Sequence, residues 1–181
     1  MDKKIKVLEK LEEKHFIQME KIELKYYSKE HITPWKETKK WYDKYNNSTV
    51  AIEHEGKIIA FLNMFPIKKD IYDKIKQGIY NDKFMTAGDM ASVSKKMFMY
   101  LSCIVVEEGF RIPDVFKLLF DTACSHYDGC DILSIIEESV TKEGASYVKK
   151  LNFKPVCETI FGTYVFECLY SDFMKALNSL K

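Results

Sequence analysis

The residues best suited to chemistry in this sequence lie between a predicted buried strand and a predicted helix. Residues 104–119 begin with the apolar run Ile-Val-Val, continue through a tight polar loop and enter an amphipathic helix at Pro113. The first turn of a helix presents unpaired N–H groups and the positive end of the helix dipole, which favours an anion. Arg111 lies just before this helix, and a guanidinium can bind a phosphate through two hydrogen bonds. The segment therefore predicts a phosphate-binding loop.

Cysteine and histidine residues give no comparable signal. The five cysteines are odd in number and contain no C-x-x-C pair, and the four histidines lack the spacing of metal ligands. These patterns argue against a disulfide framework and a zinc ribbon, and they predict reduced thiols and no metal site. Cys103 lies in an apolar strand with no histidine in a motif beside it, so we interpret it as a small buried hydrophobe.

Composition narrows the class of protein and its partners. With 181 residues, 46% of them hydrophobic and 30% charged, the chain is predicted to be a single domain over residues 1–181. A formal net charge of +1 gives no reason to expect nucleic acid or an anionic membrane as a partner. The apolar runs have only strand length, and residues 1–10 are too charged for a signal peptide, so we expect a cytoplasmic protein without a membrane span.

The elements that would position the loop follow from apolar periodicity. Residues 5–11 form either a first strand or the start of a helix. The pattern then predicts helices over 13–26, from Pro34 onward, and over 70–76, 113–127, 141–151 and 171–180. It predicts strands in a hairpin of 49–54 and 57–65 ended by Pro66, a central strand over 97–106, a strand over 131–136 and two strands within 153–168. Residues 81–95 form a polar segment between the third helix and the central strand. This order predicts an α/β or α+β fold around one mixed sheet.

The loop at Arg111 resembles the acetyl-CoA loop of the GNAT N-acetyltransferase superfamily, whose usual pattern is V-x-P-x-x-R-G-x-G-x-G-x-L-L. Phe110, Arg111, Val115 and the pair Leu118-Leu119 fall in register with it. Residues 140–156 are similar to a second pattern of the family, commonly N-x-x-A-x-x-x-Y-x-x-x-G-F. Phe153 matches its last residue, Asn152 is in place of its glycine, and Thr141 and Gly144 hold its asparagine and alanine positions, as in a variant of the pattern with threonine and glycine there.

The predicted hairpin also resembles the family's second and third strands, so the resemblance covers residues 5–168. It implies a GNAT-like sheet, mixed and mostly antiparallel, flanked by helices. It further implies acetyl-CoA as cosubstrate and direct transfer of the acetyl group to a primary amine of a small molecule or protein, in a chain that could form a homodimer. The donor-binding residues that the resemblance implies are Ile104, Val105, Val106, Arg111, Ile112, Pro113, Asp114, Val115, Phe116, Thr141, Gly144 and Tyr147. In this set, main-chain groups of 104–106 would bind the pantetheine arm and the amides of 111–116 would face the pyrophosphate.

Acyl transfer to an amine also needs a group that accepts the amine proton. Glu107 and Glu108 follow the central strand and are the candidates, and the next predicted strand ends with the comparable carboxylates Glu137 and Glu138. The tyrosine acid that is frequent in the family would align with Val148, so this role does not carry over. Tyr147 is one position away, about 100° around the helix, and is a candidate contact only.

The loop departs from the family pattern at its glycines, whose positions hold Ile112, Asp114 and Phe116. Pro113 has no N–H to donate, and the carboxylate of Asp114 would repel a phosphate nearby. Either Asp114 points away, or the phosphate sits differently, or binding is weak. The alternatives to acetyl transfer are therefore a catalytically silent GNAT-fold protein that binds a ligand or partner, and an acyltransferase that uses a longer acyl-CoA or an acyl carrier.

Overall fold

A computed structural model of the protein describes residues 5–180, so the predicted domain limits at residues 1 and 181 lie outside the described residues. Six α-helices lie close to their predicted positions. They are α1 (Glu13–Tyr26), α2 (Trp35–Lys44), α3 (Lys69–Lys76), α4 (Pro113–Ser125), α5 (Lys142–Lys150) and α6 (Tyr170–Ser179). Three of the predicted helix starts have a local physical cause. Pro34 is the N-cap of α2, Pro113 occupies the first turn of α4, and Thr141 caps α5 with its hydroxyl.

Within the described residues, seven strands form one sheet in the order β1-β2-β3-β4-β5-β7-β6. They are β1 (Ile5–Val7), β2 (Thr49–His54), β3 (Lys57–Ile67), β4 (Lys96–Val106), β5 (Asp131–Ser139), β6 (Lys154–Glu158) and β7 (Tyr164–Leu169). The strands β4 and β5 pair in parallel, whereas β1 with β2, β2 with β3, β5 with β7 and β6 with β7 pair antiparallel. The predicted mixed, mostly antiparallel sheet flanked by helices is confirmed, and the segment 5–11 begins as a strand.

The chain divides into two compact units. Unit 1 contains residues up to 63 together with 103–126, and unit 2 contains 64–102 together with the remainder from 127. In unit 1 the apolar stripe of α1, Phe16, Met19 and Ile22, packs against Phe61 of β3 and Val105 of β4. Helical spacing of three residues puts these side chains on one face, so their burial fixes how α1 lies on the sheet. The prediction of a single domain stays a prediction.

Unit 2 has its own aromatic core. Phe153, which follows α5, meets Phe173 of α6 edge to face with ring centroids 6.1 Å apart. Phe65 and Tyr100, on β3 and β4, pack in the same edge-to-face way at 6.1 Å. These four rings are fully or almost fully buried. They account for the tight packing of α6 and of the strands in this unit.

Two strands are longer than the sequence predicts. β3 was expected to end at Pro66, but it continues to Ile67 because the carbonyl of Pro66 accepts a hydrogen bond from Ala91 N (2.9 Å) and Ile67 bridges to Met90. The predicted end of β5 at residue 136 is also wrong. β5 continues to Ser139, since its register with β7 holds through the last pair, Ser139 with Tyr164. The two carboxylates expected at the end of β5 therefore lie inside the strand.

Asn152 has the backbone conformation that explains the family's glycine at this position. Its φ of 67° is in the left-handed region, and it follows Leu151, the C-cap residue of α5. Asparagine adopts this region more readily than most residues, so it replaces glycine as the residue that ends the helix. Its side-chain amide also donates to Asp172 O at 3.1 Å.

Two glycines with positive φ allow two effects of a substitution to be compared: the strain of the backbone conformation alone, and that strain together with a steric clash. At Gly56 φ is +78° and an added Cβ would meet nothing within 4 Å, whereas at Gly78 φ is +72° and a Cβ would lie 3.0 Å from Glu158 O. We expect Gly56→Ala to lower the free energy of unfolding by about 1 kcal/mol. Gly78→Ala should lower it by at least about 1 kcal/mol more, because the backbone of Glu158 must move. Urea unfolding of both variants measures the difference, and equal losses would contradict the close approach at Gly78.

Candidate functional site

The backbone of the loop after β4 brings Arg111 to the start of α4. A 3₁₀ turn over Glu108–Phe110 is followed by Arg111 with φ −74° and ψ 60°, and Ile112 N donates to Phe110 O at 2.8 Å. These values describe an inverse γ-turn centred on Arg111. Within the described residues, the positions of positive φ all lie outside this loop. The loop therefore does not need the glycines of the family pattern for its conformation.

The side chain of Arg111 is oriented by two contacts within unit 1. Its Nε donates to Val106 O at 3.1 Å, and its guanidinium carbon lies 4.5 Å from the centroid of the Tyr26 ring. Arg111 is nevertheless exposed. The carbonyl accepts from Nε and the ring contacts the guanidinium carbon, which leaves the two terminal nitrogens as donors for an anion.

The N-terminus of α4 has no side-chain cap, because its N-cap residue is Ile112. The amides of Val115 and Phe116 both donate to Ile112 O, at 3.1 and 3.4 Å, and Pro113 has no amide hydrogen. In the part of the chain that the structure describes, two of the amides expected to face a pyrophosphate have no acceptor. These two are the amides of Arg111 and Asp114. The side chain of Asp114 is exposed.

The main chain at the end of β4 also forms hydrogen bonds within unit 1. Glu107 N donates to Ile59 O at 2.8 Å, which joins this end to β3. Ile104 O accepts from the hydroxyl of Tyr27 at 3.4 Å, and Val106 O accepts from Arg111. A carbonyl oxygen has two lone pairs, so both can accept a second hydrogen bond. Val105 between them is buried in the core of unit 1.

The two predicted proton acceptors at this end of β4 differ in their surroundings. Glu107 receives hydrogen bonds from Lys25 and from the hydroxyl of Tyr26, the latter at 3.1 Å. The hydrogen bond to Glu107 raises the pKa of Lys25. Glu108 is exposed, and its amide donates to the hydroxyl of Tyr26 at 3.1 Å. The catalytic role of either carboxylate stays a prediction.

Solved structures resemble this chain over almost its whole length. Ard1 from Thermoplasma volcanium is 13% identical, with 91% of this chain and 97% of that chain aligned at a TM-score of 0.62. The PaiA N-acetyltransferase of Thermoplasma acidophilum, solved with coenzyme A, is 14% identical over 92% and 99% of the chains at a TM-score of 0.57. Naa20 of Chaetomium thermophilum, solved with a bisubstrate analogue, is 11% identical over 95% and 89% at 0.62. These proteins are GNAT N-acetyltransferases. This chain has the GNAT fold.

By sequence alone, no family model and no curated protein matches the chain. The likeness therefore lies in the arrangement of strands and helices. The donor-binding residues predicted at 104–116 all lie in unit 1, at the end of β4, in the loop after it and at the start of α4. No helix among the described residues is long and apolar enough to cross a membrane. Nor do the described residues contain a group of three or more potential metal ligands.

The other predicted donor-binding residues lie in unit 2, where two of them have a role within α5. Thr141 Oγ1 accepts from Gly144 N at 3.0 Å and so caps the helix. A Cβ at residue 144 would lie 3.1 Å from that same oxygen, which explains a glycine there. Tyr147 is partly buried, and burial raises the pKa of its hydroxyl. Contact of these residues with a cofactor stays a prediction.

Glu137 and Glu138 lie inside β5, and burial changes their acidity. Ser139 Oγ donates to both carboxylate oxygens of Glu137, at 2.9 and 3.1 Å, but burial dominates and raises the pKa of Glu137 to about 8. Burial also raises the pKa of Glu138 to about 7, although the hydroxyl of Thr163 donates to this carboxylate. Both groups would thus titrate near neutral pH, a property that sequence patterns do not reveal.

Three residues at the end of α1 contact residues 104–111 and were not predicted from the sequence. They are Lys25, Tyr26 and Tyr27, whose partners lie 77–85 positions further along the chain. Only for Tyr26 does the sequence contain an indication, which is its spacing from the apolar residues of α1. Glu23 and Tyr26 follow Phe16 and Met19 at helical spacing, so they continue the stripe that packs on the sheet.

The acidity of Glu137 predicts how the stability of the protein depends on pH. Its pKa rises from 4.5 to about 8 on folding, so between these values the folded state holds a proton that the unfolded state has lost. The free energy of unfolding should therefore fall from pH 5 to pH 8, by about 1.4 kcal/mol per pH unit for one such carboxyl. Glu137→Gln should reduce this slope in melting temperatures measured across the range. The matched control is Glu158→Gln, which changes an exposed carboxylate, and parallel pH curves for wild type and Glu137→Gln would refute the assignment.

Proposed function

We propose that this protein is an acyltransferase that binds acyl-CoA and moves an acetyl group to a primary amine of a small molecule or protein. The observation that carries the proposal is the position of Arg111 at the exposed N-terminus of α4, which has no side-chain cap. A helix N-terminus and a guanidinium both favour phosphate oxygens. The similar GNAT structures solved with coenzyme A or a bisubstrate analogue support an acyl-CoA as the class of donor.

In this proposal each part of the donor segment has a chemical role. The terminal nitrogens of Arg111 and the amides of Arg111 and Asp114 bind the pyrophosphate. The main chain of Ile104 and Val106 binds the pantetheine arm through the carbonyl lone pairs that Tyr27 and Arg111 leave. The amine attacks the thioester carbonyl, the bond between carbon and sulfur breaks, and the CoA thiolate takes up a proton. Glu107 or Glu108 accepts the proton that the amine loses.

The charges around the loop are compatible with an anionic donor. Lys25 pairs with Glu107 and so offsets one of the nearby carboxylates. Asp114 is exposed in the first turn of α4, where the helix dipole stabilises its charge and water screens it. The five cysteines are free, which supports the proposed cytoplasmic location.

A second candidate function is a catalytically silent GNAT-fold protein that binds a ligand or partner. The observation in its favour is that only two of the amides at 111–116 remain for a pyrophosphate, since Pro113 has none and three others donate within the loop. A protein of this kind would bind CoA weakly or not at all and would not release free CoA from acyl-CoA. An acyltransferase with a longer acyl donor would instead prefer a longer acyl-CoA to acetyl-CoA.

The first test of the proposal is binding of CoA to wild type and to Arg111→Ala, measured by calorimetry and thermal shift. CoA at 100 times its dissociation constant should stabilise the wild type by about 2.7 kcal/mol, or roughly 5 to 10 °C. Arg111→Ala should weaken binding by about 10- to 100-fold, the range for charged hydrogen bonds. Melting of the free protein should change little, because Arg111 is exposed.

The matched control is Lys117→Ala, which removes one positive charge from α4 at a residue that pairs with Asp121. It should leave CoA affinity within about twofold of wild type, since an exposed ion pair contributes little. The same affinity for wild type and Arg111→Ala would remove Arg111 from the site. Release of free thiol from acetyl-CoA and longer acyl-CoAs, screened over amines, separates the enzyme from the silent protein and identifies the preferred acyl chain.

A further inference from the structure

One side chain of α1 contacts both ends of the loop that contains Arg111. The ring of Tyr26 lies against the guanidinium of Arg111 at 4.5 Å. Its hydroxyl donates to Glu107 Oε2 and accepts from Glu108 N, both at 3.1 Å. These residues lie in unit 1, and Tyr26 is partly buried whereas Arg111 is exposed. Tyr26 therefore joins the first residues of the loop to the arginine at its end.

We propose that Tyr26 is a positioning residue, which holds Arg111 in the orientation that binds the phosphate of the acyl donor. This inference rests on the proposed function and assigns a residue outside the loop to the same donor site. Tyr26 acts through Arg111, so it does not itself contact the donor.

The contacts of Arg111 explain why a ring is required beneath it. An arginine side chain on the surface samples many rotamers, and their loss on binding weakens affinity. The hydrogen bond from Nε to Val106 O fixes one edge of the guanidinium. The Tyr26 ring contacts the guanidinium carbon at 4.5 Å, within the range of a cation–π interaction, and so restricts the positions that the guanidinium can take. The terminal nitrogens are then directed to one place before the donor arrives.

The hydroxyl of Tyr26 has a different task from its ring. It connects to the carboxylate of Glu107 and to the amide of Glu108, where β4 passes into the loop. Lys25, the residue before Tyr26, pairs with that same carboxylate. The end of α1 therefore fixes the start of the loop and offsets a negative charge that would otherwise weaken anion binding next to Arg111.

The experiment measures CoA affinity for Tyr26→Leu and Tyr26→Phe, each in the presence of Arg111 and in an Arg111→Ala background. With Arg111 present, Tyr26→Leu should weaken CoA binding on the order of tenfold, as expected for loss of a cation–π contact and the hydroxyl. Tyr26→Phe keeps the ring and should lose only about twofold to threefold. In the Arg111→Ala background, Tyr26→Leu should weaken binding by no more than the twofold to threefold that loss of the hydroxyl causes, because the residue that the ring positions is absent.

The matched controls are Tyr42→Leu and Tyr42→Phe, which change a tyrosine of the same hydrophobic cluster whose hydroxyl accepts from Leu11 N at 3.0 Å. They should alter the melting temperature of the free protein without altering CoA affinity. Equal affinity of wild type and Tyr26→Leu would overturn the proposal alone. An equal loss in both backgrounds would also overturn it, since Tyr26 would then act independently of Arg111. If the wild type fails to bind CoA, both this inference and the proposed function fail.

Discussion

The packing of α1 against β3 and β4 is the constraint on which the arrangement of unit 1 depends. Burial of Phe16, Met19 and Ile22 sets the rotation of the helix, because these side chains must face the sheet. Once that rotation is set, Glu23 and Tyr26 continue the same stripe and reach the end of β4. Glu23 accepts a hydrogen bond from Cys103 Sγ at 3.1 Å, and Tyr26 reaches the loop. Hydrophobic burial thus determines which polar groups meet at the candidate site.

Much of the fold could be predicted from the sequence because its signals are local. The limits of α1 follow from apolar spacing, the starts of α2 and α4 follow from prolines, and the end of α5 follows from a residue that tolerates positive φ at position 152. The missing loop glycines illustrate the limit of such arguments. Their absence indicates a divergent loop, yet the backbone at 107–116 uses conformations that any residue can adopt.

The parts that the sequence could not predict depend on contacts between distant segments. The local sequence predicts that Glu137 lies at a polar strand end, but its pairing with Phe166 of β7 keeps it inside the strand, where it is buried. Pro66 reads as a strand end, but a carbonyl can still accept a hydrogen bond where the proline nitrogen cannot donate one. Likewise, the partners of Glu107 and Arg111 come from α1, about 80 residues earlier in the chain. Local periodicity contains no information on these pairings.

The single arginine of the sequence occupies a position where lysine could not make the same contacts. Of 28 basic residues, Arg111 alone is an arginine. Its Nε donates to a backbone carbonyl and its guanidinium carbon lies 4.5 Å from the centroid of an aromatic ring, while its two terminal nitrogens are the donors proposed for the ligand. A lysine ammonium carries its three N–H donors on one nitrogen at the end of a flexible stem, so it cannot use one nitrogen for the carbonyl and present two others side by side to a phosphate. The geometry of the two observed contacts and of the proposed ligand contact, rather than positive charge alone, therefore accounts for the residue type at this position.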